Sequence, residues 1–172
     1  MNPALSATEM LRWWTITSGN WRRLLSEHPQ LLTVPCDIAG TKTLAELLQH
    51  IVAVELRYAE RLADLPTSDY AAIPFDSVDV IFATHDRAAQ LFEQLLASNI
   101  DWDQRIDFVT RSMGPASASR RFVLFHAMLH AVRHYAQLAT LARHHGVKPD
   151  WPMDILILDL ERADAEPTTP RH

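Results

Sequence analysis

The chain has 172 residues, 48% hydrophobic and 22% charged, which is typical of a single soluble globular domain with a sizeable core. Its formal net charge is −5, and no basic block is interleaved with aromatic residues, so the composition argues against nucleic-acid binding. The single cysteine excludes an internal disulfide, and we find neither a signal-peptide pattern nor an apolar run of ~20 residues that would span a bilayer. We therefore expect a cytoplasmic protein without a membrane segment.

Four segments space their apolar residues as amphipathic helices do. They predict helices over residues 7–28, 43–65, 76–97 and 117–145. Ser6 or Thr8 is a suitable N-cap for the first helix, Thr43 for the second, and Gly146 closes the fourth. Between the third and fourth helices, residues 102–113 alternate loosely, which indicates a short strand or hairpin, and residues 113–115 read as a turn.

These elements predict an all-α fold, a four-helix bundle with up-and-down or crossover connections. We assign residues 1–162 to this single domain. The apolar segment 149–160 is expected to pack over one end of the bundle. The polar, proline-containing residues 163–172 are expected to form a disordered tail.

The fourth helix has polar residues on the face that should point inward. Spacings of four and three place His130, His134 and Gln137 where a bundle normally has leucine. Histidines four residues apart lie one above the other, so their imidazoles can converge on one metal ion. Left unbonded in an apolar core, each ring would cost about 1–3 kcal/mol.

A third ligand must come from another helix, because one helix supplies two at this geometry and a zinc-type site needs at least three. His50 on the second helix and His85 on the third both suit this role by spacing alone. His126 lies ~12 Å along the axis from His134, too far to share its ion. His85 or His126 could still close a structural site as a fourth ligand, and a histidine on an apolar face is also commonly a hydrogen-bonded core residue.

Four residues are candidates for contacts that support the metal ligands: Gln137, Glu55, His126 and His85. Gln137 follows His134 by one turn and could bond a ligand ring. Glu55 falls inside the apolar arc of the second helix, about 140° around the axis from His50. A carboxylate at that position should be paired, either near the site or with a neighbouring helix.

Two runs, LAELLQHIVAVELRYAERL on the second helix and HAVRHYAQL on the fourth, resemble the DinB/YfiT-like superfamily. The resemblance covers about residues 7–146 and implies a helical bundle with one divalent metal ion on His50, His130 and His134. It leaves His85 and His126 outside the ligand set. Members commonly have arginine directly after the last histidine, where this chain has Tyr135.

For function, the resemblance implies a metal-dependent enzyme, either a transferase that uses low-molecular-weight thiols or a hydrolase. Nickel or zinc is the expected metal, with iron as an alternative, since three imidazoles accept several ions. Three protein ligands leave coordination positions open for a small substrate, as in catalytic sites. The competing hypotheses are a stress-associated bundle with a structural metal, which is not an enzyme, and a metal-free binding module.

We also expect a homodimer, which is usual in the family that the chain resembles. The fourth helix has a second apolar stripe opposite its histidines, and a helix that is apolar on two faces must bury both. Either the C-terminal segment or a second subunit could cover this stripe, which consists of Leu124, Met128, Val132, Tyr135 and Ala139.

Overall fold

The computed structural model describes residues 5–110 and 114–159. Four long helices dominate these residues, as the apolar periodicity predicts, and a two-stranded antiparallel sheet joins the last two. The helices are α1 (Ala7–Glu27), α2 (Leu44–Leu62), α3 (Val78–Ala97) and α4 (Arg120–His144). The strands are β1 (Arg105–Thr110) and β2 (Gly114–Ser119). No helix in the described part of the chain is both long and apolar enough to cross a membrane.

Side-chain caps set the starts of the first three helices. Ser6 and Glu9 form a reciprocal capping box at α1, which decides between the two predicted caps. Thr43 accepts from the backbone of Glu46 at the start of α2, and Ser77 caps α3 in the same way. These bonds satisfy N–H groups that have no partner within the helix, so each helix begins close to its predicted residue.

The segment before α4 differs from its prediction at two points. The strand pairing extends through Ser119, so α4 begins at Arg120 rather than at residue 117. Gly114 and Pro115 belong to β2 and pair with Thr110 and Val109, so these two residues do not form the predicted turn, and its first residue, Met113, lies outside the described residues. Ladder bonds to β1 outweigh the helix propensity of the intervening residues.

The order of the helices around the bundle differs from their order in the chain. α2 packs mainly against α3 and α4, and α1 packs against the same two helices from the other side. Consecutive helices α1 and α2 are therefore diagonal to each other, as are α3 and α4, and the connections between them cross the bundle. This arrangement brings α2 and α4 side by side, which positions the site described below.

The sequence predicts that the histidine face of α4 is its inward face, but the opposite apolar stripe is the more deeply buried of the two. Four of the five residues of the second apolar stripe lie in the core: Leu124, Met128, Tyr135 and Ala139 are at most 1% exposed, and Val132 is half-buried. Trp21 of α1 stacks on Tyr135 with ring centroids 5.9 Å apart. The stripe is thus covered within the chain and provides no argument for a second subunit. The histidine face is less uniformly buried: Gln137 is exposed and His130 is half-buried, whereas His134 is only 2% exposed.

The C-terminal segment packs along α1 rather than over an end of the bundle. Trp13 Nε1 donates to the carbonyl of Met153 at 3.2 Å. Two turns further along α1, the ring of Trp21 meets that of Trp151 edge to face at 5.3 Å. The predicted disordered tail, residues 163–172, lies outside the described residues.

Candidate metal centre

Three histidines from two neighbouring helices meet between α2 and α4. We call His50, His130 and His134 the histidine trio. His130 Nε2 lies 3.2 Å from His50 Nε2 and 3.3 Å from His134 Nε2. All three residues offer a ring nitrogen within 4.8 Å of the others, which is the arrangement of a group that can hold one metal ion.

Local geometry explains this convergence. His130 and His134 are one helical turn apart, so both side chains leave α4 on the same face. His50 lies in the second turn of α2, the helix that packs beside that face. The ring centroid of His50 is 4.9 Å from that of His130 and 5.0 Å from that of His134.

Two neighbours orient the outer rings of the trio. His134 Nδ1 lies 2.7 Å from Gln137 Oε1, so Nδ1 carries the proton and donates it. His50 Nδ1 lies 3.3 Å from the hydroxyl of Tyr70. When Nδ1 donates, Nε2 keeps its lone pair and can bind a metal. The contact predicted between Gln137 and a ligand ring is therefore present.

Tyr70 is a residue that the helical periodicity does not identify. It lies in a short 3₁₀ turn between α2 and α3, Tyr70–Ala72, where no repeating pattern exists. Gln49, next to His50 in the chain, ties this loop to α2 by donating to the carbonyl of Ile73 at 2.6 Å. The sequence indicates the loop that carries Tyr70 only through the helix stop at Pro66, which predicts a loop but not where it packs.

The electrostatics of the trio favour neutral rings. Burial, followed by the charges of His134, His50 and Arg133, lowers the pKa of His130 to about 2. Burial also lowers the pKa of His134, although the bond to Gln137 opposes this shift. Neutral imidazole is the form that binds a metal, so the donor set fits a divalent ion. His130 Nδ1 is buried without a hydrogen-bond partner among the described residues, which leaves this ring least fixed.

A positive charge lies against the trio from the surface. Arg133 Nη2 is 3.1 Å from His134 Nε2 and donates to the lone pair that a metal ion would use. Arg133 is exposed, so its side chain is free to turn away into solvent. Within the trio, His134 is only 2% exposed, whereas His50 and His130 are half-buried.

Neither of the other two candidate histidines completes the trio. His126 is exposed, and its ring centroid is 5.7 Å from that of His130. His85 has both ring nitrogens engaged elsewhere, with Ser18 and Glu55. Within residues 5–110 and 114–159, the group that can hold a metal consists of three histidines without a fourth protein ligand.

His85 and Glu55 instead belong to a buried network of four residues, Trp14, Ser18, Glu55 and His85, from three helices. Glu55 is 0% exposed; it accepts from Trp14 Nε1 at 2.9 Å and lies 2.8 Å from His85 Nδ1. Ser18 Oγ lies 2.9 Å from His85 Nε2. None of these bonds goes to the histidine trio, so the pairing expected for the Glu55 carboxylate is with a neighbouring helix.

The order Ser18, His85, Glu55 matches that of a serine-hydrolase triad. The chemistry does not follow, because Ser18 is 1% exposed and no substrate carbonyl can approach its hydroxyl. Ser18 also lies 2.9 Å from the carbonyl of Trp14, the acceptor that a serine within a helix usually takes. We therefore assign the buried network to the stability of the fold.

The fold and the site define a class of protein: helical bundles in which three histidines of adjacent helices converge and could hold a metal ion. Comparison with known families identifies the family within this class. The model of the DinB family matches residues 1–165, and the chain belongs to that family. The comparison with curated proteins gives no significant match.

Proposed function

We propose that this chain is a metal-dependent enzyme that holds one divalent ion on the Nε2 atoms of the histidine trio. The observation that carries the proposal is the convergence of three ring nitrogens without a fourth protein ligand among the described residues. Structural zinc sites are closed by four protein ligands, whereas catalytic sites keep a position open for water or substrate. The arrangement thus favours an enzyme over a bundle that the metal merely stabilises.

A divalent ion bound there would supply Lewis acidity, which activates a thiol, a water molecule or a carbonyl group. The protein residues around it have separate tasks. Gln137 and Tyr70 each contact the Nδ1 atom of one ring, and the carbonyl oxygen of Gln137, which can only accept, fixes the tautomer of His134. Arg133, which contacts His134 Nε2 in the absence of an ion, would place a positive charge beside the site and so would favour an anionic substrate.

Between the two reaction classes we prefer transfer to or from a low-molecular-weight thiol, with hydrolysis as the alternative. The preference rests on the resemblance of the helix-two and helix-four runs. The protein does not offer a thiol of its own at the site, because Cys36 is buried before α2 and accepts a bond from Thr41 Oγ1 at 3.2 Å. A thiol reactant would therefore be a small molecule.

We further propose nickel or zinc as the metal and iron as the alternative, because imidazole nitrogen suits all three. A homodimer in the cytoplasm is part of the same proposal. The homodimer is proposed because dimers are usual in the family that the chain resembles. It does not rest on the second apolar stripe of α4, which the chain itself covers.

Metal content measured by inductively coupled plasma spectrometry tests the site. Untagged wild-type protein is compared with His130→Ala and with His144→Ala, which removes an exposed histidine at the end of the same helix. We expect stoichiometric metal in the wild type and in His144→Ala, and its loss in His130→Ala. A folded wild type that stays empty after reconstitution with nickel, zinc and iron would refute the proposal.

A further inference from the structure

Arg61, in the last turn of α2, lies over two aromatic rings and has no anionic partner among the described residues. Its Cζ lies 5.2 Å from the ring centroid of Tyr58 and 5.6 Å from that of Phe108 on β1. Within the described part of the chain, Arg61 makes no ion pair with a carboxylate at 4.0 Å or less. Burial, followed by the charge of Arg57, lowers its pKa.

The lack of a partner is costly for this side chain. A half-buried guanidinium loses hydration, and stacking on aromatic rings replaces only part of it. Arg121 provides the contrast: it also lies over an aromatic ring, Phe122, at 5.4 Å, yet it is exposed and pairs with Asp103 at 3.2 Å. The surroundings of Arg61 thus suit an anion that comes from outside the chain.

Ring contacts connect Arg61 to the histidine trio. Tyr58 meets His126 edge to face with centroids 5.3 Å apart, and His126 lies 5.7 Å from His130. Tyr58 also contacts Phe108 at 5.8 Å. We call Tyr58, Phe108 and His126 the aromatic strip. These ring contacts join α2, α4 and β1, and they run from the trio to the β1–β2 hairpin.

The dimensions of this strip set the length of a ligand. Arg61 follows His50 by eleven positions on α2, which is ~16 Å along the helix axis. Side chains lean towards the N-terminus of their helix, so the guanidinium lies nearer to the trio than its Cα does. A molecule of roughly 10–15 Å can therefore reach from one to the other.

We propose that the aromatic strip and Arg61 form the substrate-binding groove, for an elongated small molecule with an apolar or aromatic body and a terminal carboxylate. The body lies on the strip, and the carboxylate accepts from Arg61. The opposite end carries the reacting group to the histidine trio, and this last part rests on the proposed function. Arg61 would thus be the specificity-determining residue that selects acids over their uncharged analogues.

A titration followed by nuclear magnetic resonance tests the anion site without a metal. The probes are phenylbutyrate and its uncharged amide, phenylbutyramide, added to metal-free protein. We expect the acid to bind the wild type roughly tenfold more tightly than the amide, the effect of one charge-assisted hydrogen bond. Shifts should centre on Tyr58 and Phe108. Equal affinity for the two probes would overturn the proposal, and this comparison needs no variant.

Two matched variants assign the effect to its residue. Arg61→Gln should remove the preference for the acid and leave binding of the amide unchanged. Arg121→Gln, which deletes the same charge from an ion-paired arginine, should retain the preference. An equal loss in both variants would show that general surface charge, not Arg61, attracts the acid.

A second arm examines the link to the trio. In zinc-loaded protein, ω-mercaptocarboxylates of increasing chain length should show a clear affinity optimum, and Arg61→Gln should abolish it. If the protein binds no metal but still prefers phenylbutyrate to its amide, the proposed metal-dependent function is refuted and the proposed anion site at Arg61 is supported. A metal-loaded protein without an optimum would refute the connection between the two ends of the groove.

Discussion

Removal of the Glu55 carboxylate should destabilise the protein strongly. Glu55 is completely buried and is the partner of two donors, Trp14 Nε1 at 2.9 Å and His85 Nδ1 at 2.8 Å. In Glu55→Ala both groups lose their partner in a place that water does not reach. Each buried donor left without a partner costs about 1–3 kcal/mol, so the loss of both partners should cost about 2–6 kcal/mol. This is a large share of the ~5–15 kcal/mol that stabilises an ordinary domain.

The free energy of unfolding, measured by urea denaturation with far-ultraviolet circular dichroism, checks this value. Glu93→Ala is the matched control, because Glu93 is an exposed glutamate on α3. It should change the free energy by no more than about 0.5 kcal/mol. Glu55→Gln retains the shape and one acceptor oxygen, so it should lose about 1–3 kcal/mol.

Two results would refute this reasoning. A loss below about 1 kcal/mol in Glu55→Ala would mean that the two donors find other partners, contrary to the burial of the network. Loss of metal from a folded Glu55→Gln, with the stability otherwise as expected, would mean that the network supports the histidine trio. The hydrogen bonds of Glu55 do not connect to the trio, so we expect Glu55→Gln to keep its metal. If Glu55→Ala does not fold, the stability and the metal content of Glu55→Gln are compared with those of the wild type instead.

Three further predictions concern a hydrogen bond to the trio, the backbone conformation at two glycines, and a buried arginine. Gln137→Ala frees one ring of the histidine trio and should lower metal affinity about 10–100-fold in a competition with a chelator; an unchanged affinity would mean that the bond does not orient the ring. Gly146, at φ +79° after α4, should cost about 1 kcal/mol in urea unfolding when replaced by Ala. Gly19→Ala, in the middle of α1 with open space around it, should instead stabilise by about 0.5–1 kcal/mol, and equal signs would contradict the backbone argument. Arg120→Ala loses the bond to Asp64 at 2.8 Å and should destabilise by about 1–3 kcal/mol, whereas a negligible change would show that water replaces the guanidinium.

Much of the local structure follows from short-range patterns. Helix starts depend on residues three apart, as Ser6 and Glu9 show, so the sequence predicts them closely. The convergence of His130 and His134 also depends only on helix geometry. The start of α4 was missed because pairing of β2 with β1 competes with helix formation over residues 117–119.

The choice of the third histidine illustrates what spacing cannot decide. His50 and His85 both lie on inward helix faces, and by sequence spacing alone either could be the third ligand. α2 packs beside α4 while α3 lies diagonally across the bundle, so His50 reaches the pair on α4. His85 is instead engaged by Glu55 and Ser18. Only the family resemblance selected His50 in advance, because helix order around a bundle is a non-local property.

The sequence by itself determined where the helices run, how they are capped and which residue types could bind a metal, since these depend on neighbours within a turn or two. The tertiary structure decided which faces meet. It buried most of the apolar stripe of α4 beneath α1, and on the histidine face it buried His134 but left His130 half-buried. It also brought Tyr70 to His50 from a loop, and it placed Arg61 on an aromatic strip that ends at the trio. These contacts join residues far apart in the chain, and packing of whole helices rather than local propensity sets them.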